Sequence, residues 1–439
     1  MTSIIGIRRE DKNKWERRVP LIPADVAELT QNNGIRFVIQ PSPIRIFEAE
    51  KYEQAGATVQ EDMSSCDLIF AVKEIPIELL RAGKTYIFFS HTFKGQPHNM
   101  EMLKRLVDLK CNLIDYELIT NEKDQRLIFF GRHAGLAGMI DTFSALGERF
   151  EWEKLSPNPF QAIKMTHTYP DLHAAMETIR GKAGNKLKKE GLPISLCPFI
   201  VGIAGYGNVA SGVQEILDLF PVETLAPEEL EPFIHKGGFD RRKIYKTVFK
   251  EEHLALPDEK GKPFQLNEYY EHPDRYLSGF HRYLPYLSVL MNCIYWDTPY
   301  PRIFTKEDAR ELFSTPQPPR IRMVGDISCD IEGAIEFTQK ATKQDSPVYV
   351  YDPERDCIFD GIRGKGPVIM AVDNLPCELS LEASKEFSHA LKPFVPALAD
   401  ADFNRSYEQL ELPEPIKKAL ILHLGHFTPG YKFMEEFLT

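Results

Sequence analysis

The sequence predicts an α/β protein of two domains, each a parallel β-sheet covered by helices. Two observations predict it. Short apolar runs alternate with amphipathic helical patterns through the first third of the chain. A second such alternation begins near residue 194, where an apolar run leads into a glycine-rich turn. At 439 residues the chain is also too long for one small core.

Ser3–Ile7 reads as the first strand, and Ala24–Gln31, preceded by Pro20 and Pro23, as a helix. Strands follow at Ile35–Gln40, Asp67–Val72, Thr85–Ser90 and Asn112–Tyr116, with a helix over Met102–Leu109 before the last of them. Gly131–Met139 opens a long helix whose small residues permit close packing on a neighbour. A second long helix carries Leu172, Ala175, Met176, Ile179, Ala183 and Leu187 on one face and stops at Gly191. Ile194–Ala204 reads as a strongly apolar strand that turns at Gly205 into a helix through Phe220. Pro221 to Arg282 is charged and Pro-bearing and reads as an insertion, although its aromatics indicate that it packs. Further strands are expected at Arg320–Asp326, Val348–Tyr351 and Val368–Val372.

Hydrophobic residues make up 43% of the chain and charged residues 27%, as in a packed globular protein. The net charge of −11 argues against nucleic acid and anionic membranes as partners, since both need a basic face. Seven scattered cysteines with no C-x-x-C pair fit a reducing cytoplasm better than a disulfide framework or a zinc cage. Met1–Glu10 shows no signal peptide, and no run approaches the roughly 18 apolar residues of a membrane helix. A homo-oligomer stays open.

Gly205, Gly207 and Ala210 form G-x-G-x-x-A across Gly205-Tyr206-Gly207-Asn208-Val209-Ala210, behind a strand and ahead of a helix. The first glycine makes the tight turn, the second lets backbone approach a pyrophosphate, and the third small residue packs helix on strand. This context makes the second domain a Rossmann-like dinucleotide site. The ribose-binding acid expected about twenty residues on is missing from the stretch Val222–Glu228, unless Glu228 serves. The gap favours NADP over NAD. Lys236, Arg241 and Arg242 are candidates to pair with a 2′-phosphate, with plain surface charge as the alternative.

In parallel sheets, ligands bind beyond the carboxyl ends of the strands. Three successive predicted strands end in Lys73, His91 and Glu117. On one rim these form an acid–base set in which Lys73 and His91 depress each other's pKa and Glu117 opposes the effect. Arginines at and after the first strand, Arg8, Arg9, Arg17 and Arg18, are suited to carboxylates.

These residues, with Trp15-Glu16-Arg17-Arg18, Phe89-Ser90-His91-Thr92, Ile114-Asp115-Tyr116-Glu117, Gly205-Tyr206-Gly207-Asn208-Val209, Ile294-Tyr295-Trp296 and Asp326-Ile327-Ser328, carry a likeness that runs nearly end to end. The chain resembles the lysine-ketoglutarate reductase domain of the bifunctional aminoadipic semialdehyde synthases. It is more distantly similar to fungal lysine-forming saccharopine dehydrogenases, and then to alanine dehydrogenase and transhydrogenase. The resemblance implies two Rossmann-like domains with the active site in the cleft between them. It assigns residues 1–140 plus 378–439 to a substrate-binding domain and 141–377 to the dinucleotide domain, with the insertion at about 221–282. It implies Lys73 and His91 as acid–base groups and Glu117 as the residue that tunes the lysine. Arg18 and Arg126 would bind substrate carboxylates. Ile294, Tyr295 and Asp326 would lie at the cofactor, Asp326 near the nicotinamide and the substrate. The implied activity joins lysine and 2-oxoglutarate into saccharopine with NADPH. Alternatives are an NAD-dependent, lysine-forming saccharopine dehydrogenase, a related opine or alanine dehydrogenase, and a non-catalytic NAD(P) sensor. The bifunctional proteins continue into a second dehydrogenase domain, whereas this chain ends at Thr439, so the following step is expected on another polypeptide.

Overall fold

Residues 3–315 and 319–438 are described by the computed structural model. Among them the early apolar runs form β1 (Ile4–Ile7), β2 (Arg36–Ile39), β3 (Thr58–Val59), β4 (Leu68–Phe70), β5 (Thr85–Phe88) and β6 (Asn112–Asp115). The middle of the chain forms β7 (Ile200–Ala204), β8 (Val222–Thr224), β9 (Ile244–Phe249), β10 (Ala255–Pro257) and β11 (Tyr276–Ser278). It continues with β12 (Val289–Asn292), β13 (Met323–Asp326), β14 (Val348–Asp352), β15 (Cys357–Asp360) and β16 (Val368–Met370). Last come β17 (Leu420–His423) and β18 (His426–Phe427). The chain divides into two compact units, Met1–Phe130 with Ser380–Thr439, and Gly131–Leu379.

The sheet of the first unit has the order β18-β17-β6-β5-β4-β1-β2-β3. β1 to β6 pair in parallel, and β17 closes the β6 edge antiparallel. β4 is buried at all three residues, as a central parallel strand covered on both faces must be. The C-terminal segment is stitched to the start of the chain by hydrogen bonds. Val19 N–H donates to Ser384 Oγ (3.0 Å) and Ile22 N–H to Ser388 Oγ (2.9 Å), while the Ser388 hydroxyl donates to Asp25 (2.5 Å).

The second unit has the order β15-β14-β16-β13-β12-β7-β9-β8, parallel except for β14 and β15. The helix Gly131–Trp152 packs on the helix Asn208–Leu217 through glycines. A Cβ at Gly135 would overlap Val209 O, and one at Gly212 would overlap Arg132 O. Here the small residues of the sequence have a mechanical reason.

Three expectations need correction. The strand expected over Ile194–Ala204 begins only at Ile200; Ile194–Leu196 is a 3₁₀ turn between Pro193 and Pro198, which cannot donate to a ladder. The second long helix is broken by a π turn at Ile179–Gly184, which contains Gly181 and Gly184. The segment 221–282 is not wholly an insertion, because β8 and β9 belong to the sheet and β9 pairs directly with β7. What stands apart is the β10–β11 pair and the helix Leu266–Glu271 between its strands. No helix among the described residues is long and apolar enough to cross a membrane.

Candidate active site

In the first unit β1, β4, β5 and β6 lie side by side and parallel, so their carboxyl ends share one rim. Glu10, Lys73, His91 and Glu117 follow those four ends. The buried Glu10 carboxylate accepts from the backbone N–H of Val72 (2.7 Å) and of Lys73 (3.0 Å), so the end of β1 fixes the segment that carries the lysine. Burial, with repulsion from Glu16, pushes the Glu10 carboxyl up to about 7.

Lys73 is held below the ordinary lysine range, first by burial and then by the neighbouring Arg18 guanidinium; Glu16 opposes the shift. The mutual depression expected between Lys73 and His91 is therefore not the cause. Nor is Glu117 the main opposing charge. Glu117 forms an ion pair with Arg126, and its N–H donates to Asp115 Oδ1 (2.8 Å).

His91 has a left-handed backbone (φ 48°), uncommon for a non-glycine residue. Asn99 holds that turn, its amide donating to the carbonyls of Ser90 (3.1 Å) and His91 (3.2 Å). The ring meets a carboxylate absent from the sequence reading: Nδ1 lies 2.5 Å from Glu74 Oε1. Burial raises the Glu74 carboxyl, but the His91 hydrogen bond and charge, with Lys12, outweigh this and hold it well below the usual range. Asp115 was also missed as a support. It accepts from Ser90 N–H (3.0 Å) and the Ser90 hydroxyl (2.5 Å), and burial lifts it to about 6. Glu74 follows Lys73 directly, and Asp115 precedes Glu117 by two, so an acid beside each strand-end residue was the available signal.

Arg18 is buried and gives Nε and Nη2 to Glu16 (2.7 and 2.5 Å), with its guanidinium 4.2 Å from the centre of the Phe130 ring. Arg126 is half-exposed. Both arginines thus already carry an internal carboxylate, and a substrate carboxylate would share the guanidinium with it.

In the second unit the glycine turn closes β7. Gly205 has φ 101° and its Cβ would press on Cys293 O and Ile294 at 3.1 Å, so glycine is required for the turn. Nothing lies within 4 Å of a Gly207 Cβ, which leaves the open backbone that a pyrophosphate needs. Ala210, in the first turn of the helix Asn208–Leu217, is buried. Tyr206, Gly207 and Asn208 are exposed, and Val209 is half-buried. The turn is laced to both neighbours: Gly205 N–H donates to Phe249 O (2.9 Å), and Cys293 N–H donates to Ala204 O (3.0 Å). A cavity of about 410 Å³ opens here, lined by Gly205, Tyr206, Gly207, Glu251, Ile294 and Tyr295 among others. These features fit a dinucleotide. Asp326, at the end of β13, is enclosed; it accepts from Asn292 (2.8 Å), the Thr338 hydroxyl (2.6 Å) and Cys329 N–H (3.3 Å), and burial lifts it to about 6.

The stretch Val222–Glu228, where the ribose acid is expected, holds β8, which lies at the sheet edge and not beside β7. Arg241 and Arg242 precede the amino end of β9, on the edge opposite the turn, and Arg241 donates to Glu190 O (2.6 Å). They are not partners for a phosphate at the turn.

Residues 6–137 match the alanine dehydrogenase/PNT N-terminal domain family. The chain is 35% identical to the alpha-aminoadipic semialdehyde synthase of Arabidopsis thaliana over 98% of its own length and 41% of that protein. It is 27% identical to the NAD(+), L-lysine-forming saccharopine dehydrogenase of Neurospora crassa, covering 91% of this chain and 92% of that one. Among solved structures an L-alanine dehydrogenase superposes with a TM-score of 0.61 at 17% identity, over 99% of both chains. The chain spans less than half the length of the aminoadipic semialdehyde synthases that it matches. It is, along nearly all of its length, a relative of the aminoadipic semialdehyde synthases and more distantly of the lysine-forming saccharopine dehydrogenases, built on the alanine dehydrogenase/transhydrogenase fold.

Proposed function

We propose that the chain is a nicotinamide-dependent oxidoreductase that condenses the ε-amine of lysine with 2-oxoglutarate and reduces the product to saccharopine, or reverses that step. The observation that carries the reading is the rim of the first unit, where Lys73 and the His91–Glu74 pair follow adjacent parallel strands. The names of the relatives, aminoadipic semialdehyde synthase and saccharopine dehydrogenase, support the choice of substrates.

The amine must lose a proton before it attacks the keto carbon, and the departing hydroxyl must gain one. Lys73, lowered by burial and Arg18, gives up its own proton more readily than an ordinary lysine and so is suited to take one from the amine. Glu74 occupies Nδ1 of His91, which leaves Nε2 as the nitrogen that exchanges a proton with substrate. Arg18 and Arg126 would orient carboxylates. The bound nicotinamide supplies the hydride, and the backbone at Gly205–Gly207 would hold its pyrophosphate. NADPH was the donor expected from a missing ribose acid, but the segment that lacked the acid is not the one beside the turn, so that ground is removed.

The test is oxidation of NADPH and of NADH with 2-oxoglutarate across a panel of amino acids, and with pyruvate and ammonia. Lysine should be the preferred donor. A preference for ammonia with pyruvate would instead indicate an alanine dehydrogenase, and nucleotide binding without turnover on any pair would indicate a sensor.

A further inference from the structure

The cavity beside the glycine turn holds an acid in a place the chain order conceals. In dinucleotide sites the strand next to the glycine-turn strand ends in the group that meets the adenosine ribose. Here that strand is β9, which the chain reaches only after passing through the edge strand β8. β9 ends at Phe249, and Lys250-Glu251 follow. Glu251 lines the cavity together with Gly205, Tyr206 and Gly207.

Glu251 is also held. Its Oε1 accepts from the Tyr270 hydroxyl at 2.7 Å and from the Tyr206 hydroxyl at 3.3 Å. Tyr206 is the residue between the two glycines. Tyr270 comes from the helix Leu266–Glu271 of the segment that stands apart from the sheet. That segment is braced by Glu268, which accepts from Lys262 (2.7 Å), Arg275 (3.1 Å) and the Tyr276 hydroxyl (3.2 Å). Tyr269 packs on Tyr300 at a ring distance of 5.2 Å, adding aromatic surface to the same cavity.

We infer that Glu251, positioned by Tyr206 and Tyr270, binds the vicinal hydroxyls of the adenosine ribose and makes the chain select NAD(H) over NADP(H). This rests on the proposed dinucleotide site at Gly205–Gly207. A carboxylate has about four acceptor positions, and the two phenols occupy two. The remainder suit a diol, which brings two donors. A 2′-phosphate brings only acceptors and negative charge to the same place. Lys250 is the adjacent cation; it is exposed, with its ammonium 5.9 Å from the centre of the Tyr206 ring, and solvent screens it.

The test is calorimetric titration of the full chain with NADH and with NADPH, repeated with 5′-AMP and adenosine 2′,5′-bisphosphate as probes that lack the nicotinamide. NADH should bind at least about tenfold more tightly than NADPH, as a charge-assisted hydrogen bond implies. Glu251→Gln should narrow or invert that ratio, and Tyr270→Phe should narrow it less. Unchanged thermal melting of both variants would assign the effect to the site rather than to folding. NADPH binding as tightly as NADH to the native chain, or a ratio unmoved in Glu251→Gln, overturns the inference and leaves the oxidoreductase reading standing. Failure of every nucleotide to bind removes both.

Discussion

Lys73 and His91 stand on neighbouring strands but draw on different surroundings, so their substitutions should separate in pH profile. Lys73→Met and His91→Gln are each expected to lower turnover by about two orders of magnitude or more, within the 10²–10⁴-fold range of general acid–base groups. Nucleotide affinity should stay nearly unchanged, because the glycine turn belongs to the other unit. The double variant should lose less than the product of the singles, since both would serve one proton-transfer unit. In the proposed mechanism Lys73 would act as a base when neutral. Activity should therefore rise with pH through its lowered pKa, and that limb should vanish in Lys73→Met. Near-native turnover in both variants would mean that the rim residues are ordinary strand ends. The sequence made Lys73 and His91 legible because apolar runs stop abruptly before them. It hid Glu74, Glu16 and Glu10 as their partners, because those pairings depend on which strands become neighbours.

At the scale of elements, three glycines test two different mechanical roles. Gly135 and Gly212 face backbone carbonyls across a helix crossing, so Gly135→Ala or Gly212→Ala should destabilise by about 1–3 kcal/mol or more, the usual range for overpacking. Gly207 faces open space and has an ordinary negative φ (−81°). Gly207→Ala should leave unfolding within about 0.5 kcal/mol of native, as an unobstructed surface change does. It should still weaken dinucleotide binding at least about tenfold, since the methyl occupies the pyrophosphate approach. Chemical denaturation and titration together read both effects, and intact nucleotide affinity in Gly207→Ala would remove the turn from the site. Most strands were legible to within a few residues, because central parallel strands are uninterrupted apolar runs. Sheet order was harder. Strands β8 and β9 appear in one sequence and pair in the reverse, so counting twenty residues from Gly205 led to the edge strand instead of the neighbour.

For the molecule as a whole, several buried carboxyls bind protons more tightly folded than unfolded. In the second unit Asp141 and Glu378 face each other in the interior, and both are pushed up by burial, Glu378 to about 7. His167 N–H donates to Glu378 (3.1 Å), and His167 Nδ1 lies 3.4 Å from it. A carboxyl raised from its ordinary 4.5 to about 7 contributes stability that is complete below pH 4.5 and lost as pH rises through 7. Glu378→Gln keeps the shape without the charge. Its melting temperature should meet the native value near pH 5 and exceed it at pH 8, by the equivalent of about 1–3 kcal/mol. A difference independent of pH would show that folding does not raise the Glu378 carboxyl. The two units should also differ in autonomy. Residues 131–379 form a contiguous piece and should fold alone, with cooperative melting as the readout, whereas a chain ending at Leu379 should lose the first unit. That truncation removes Ser384, Ser388 and β17, on which the first sheet depends. The same stitching sets a timetable at the ribosome. The first unit precedes the second along the chain but cannot finish its sheet until residues beyond 420 emerge, so the second unit completes its native state earlier, while residues 3–130 wait as a partly formed sheet with the β6 edge uncovered.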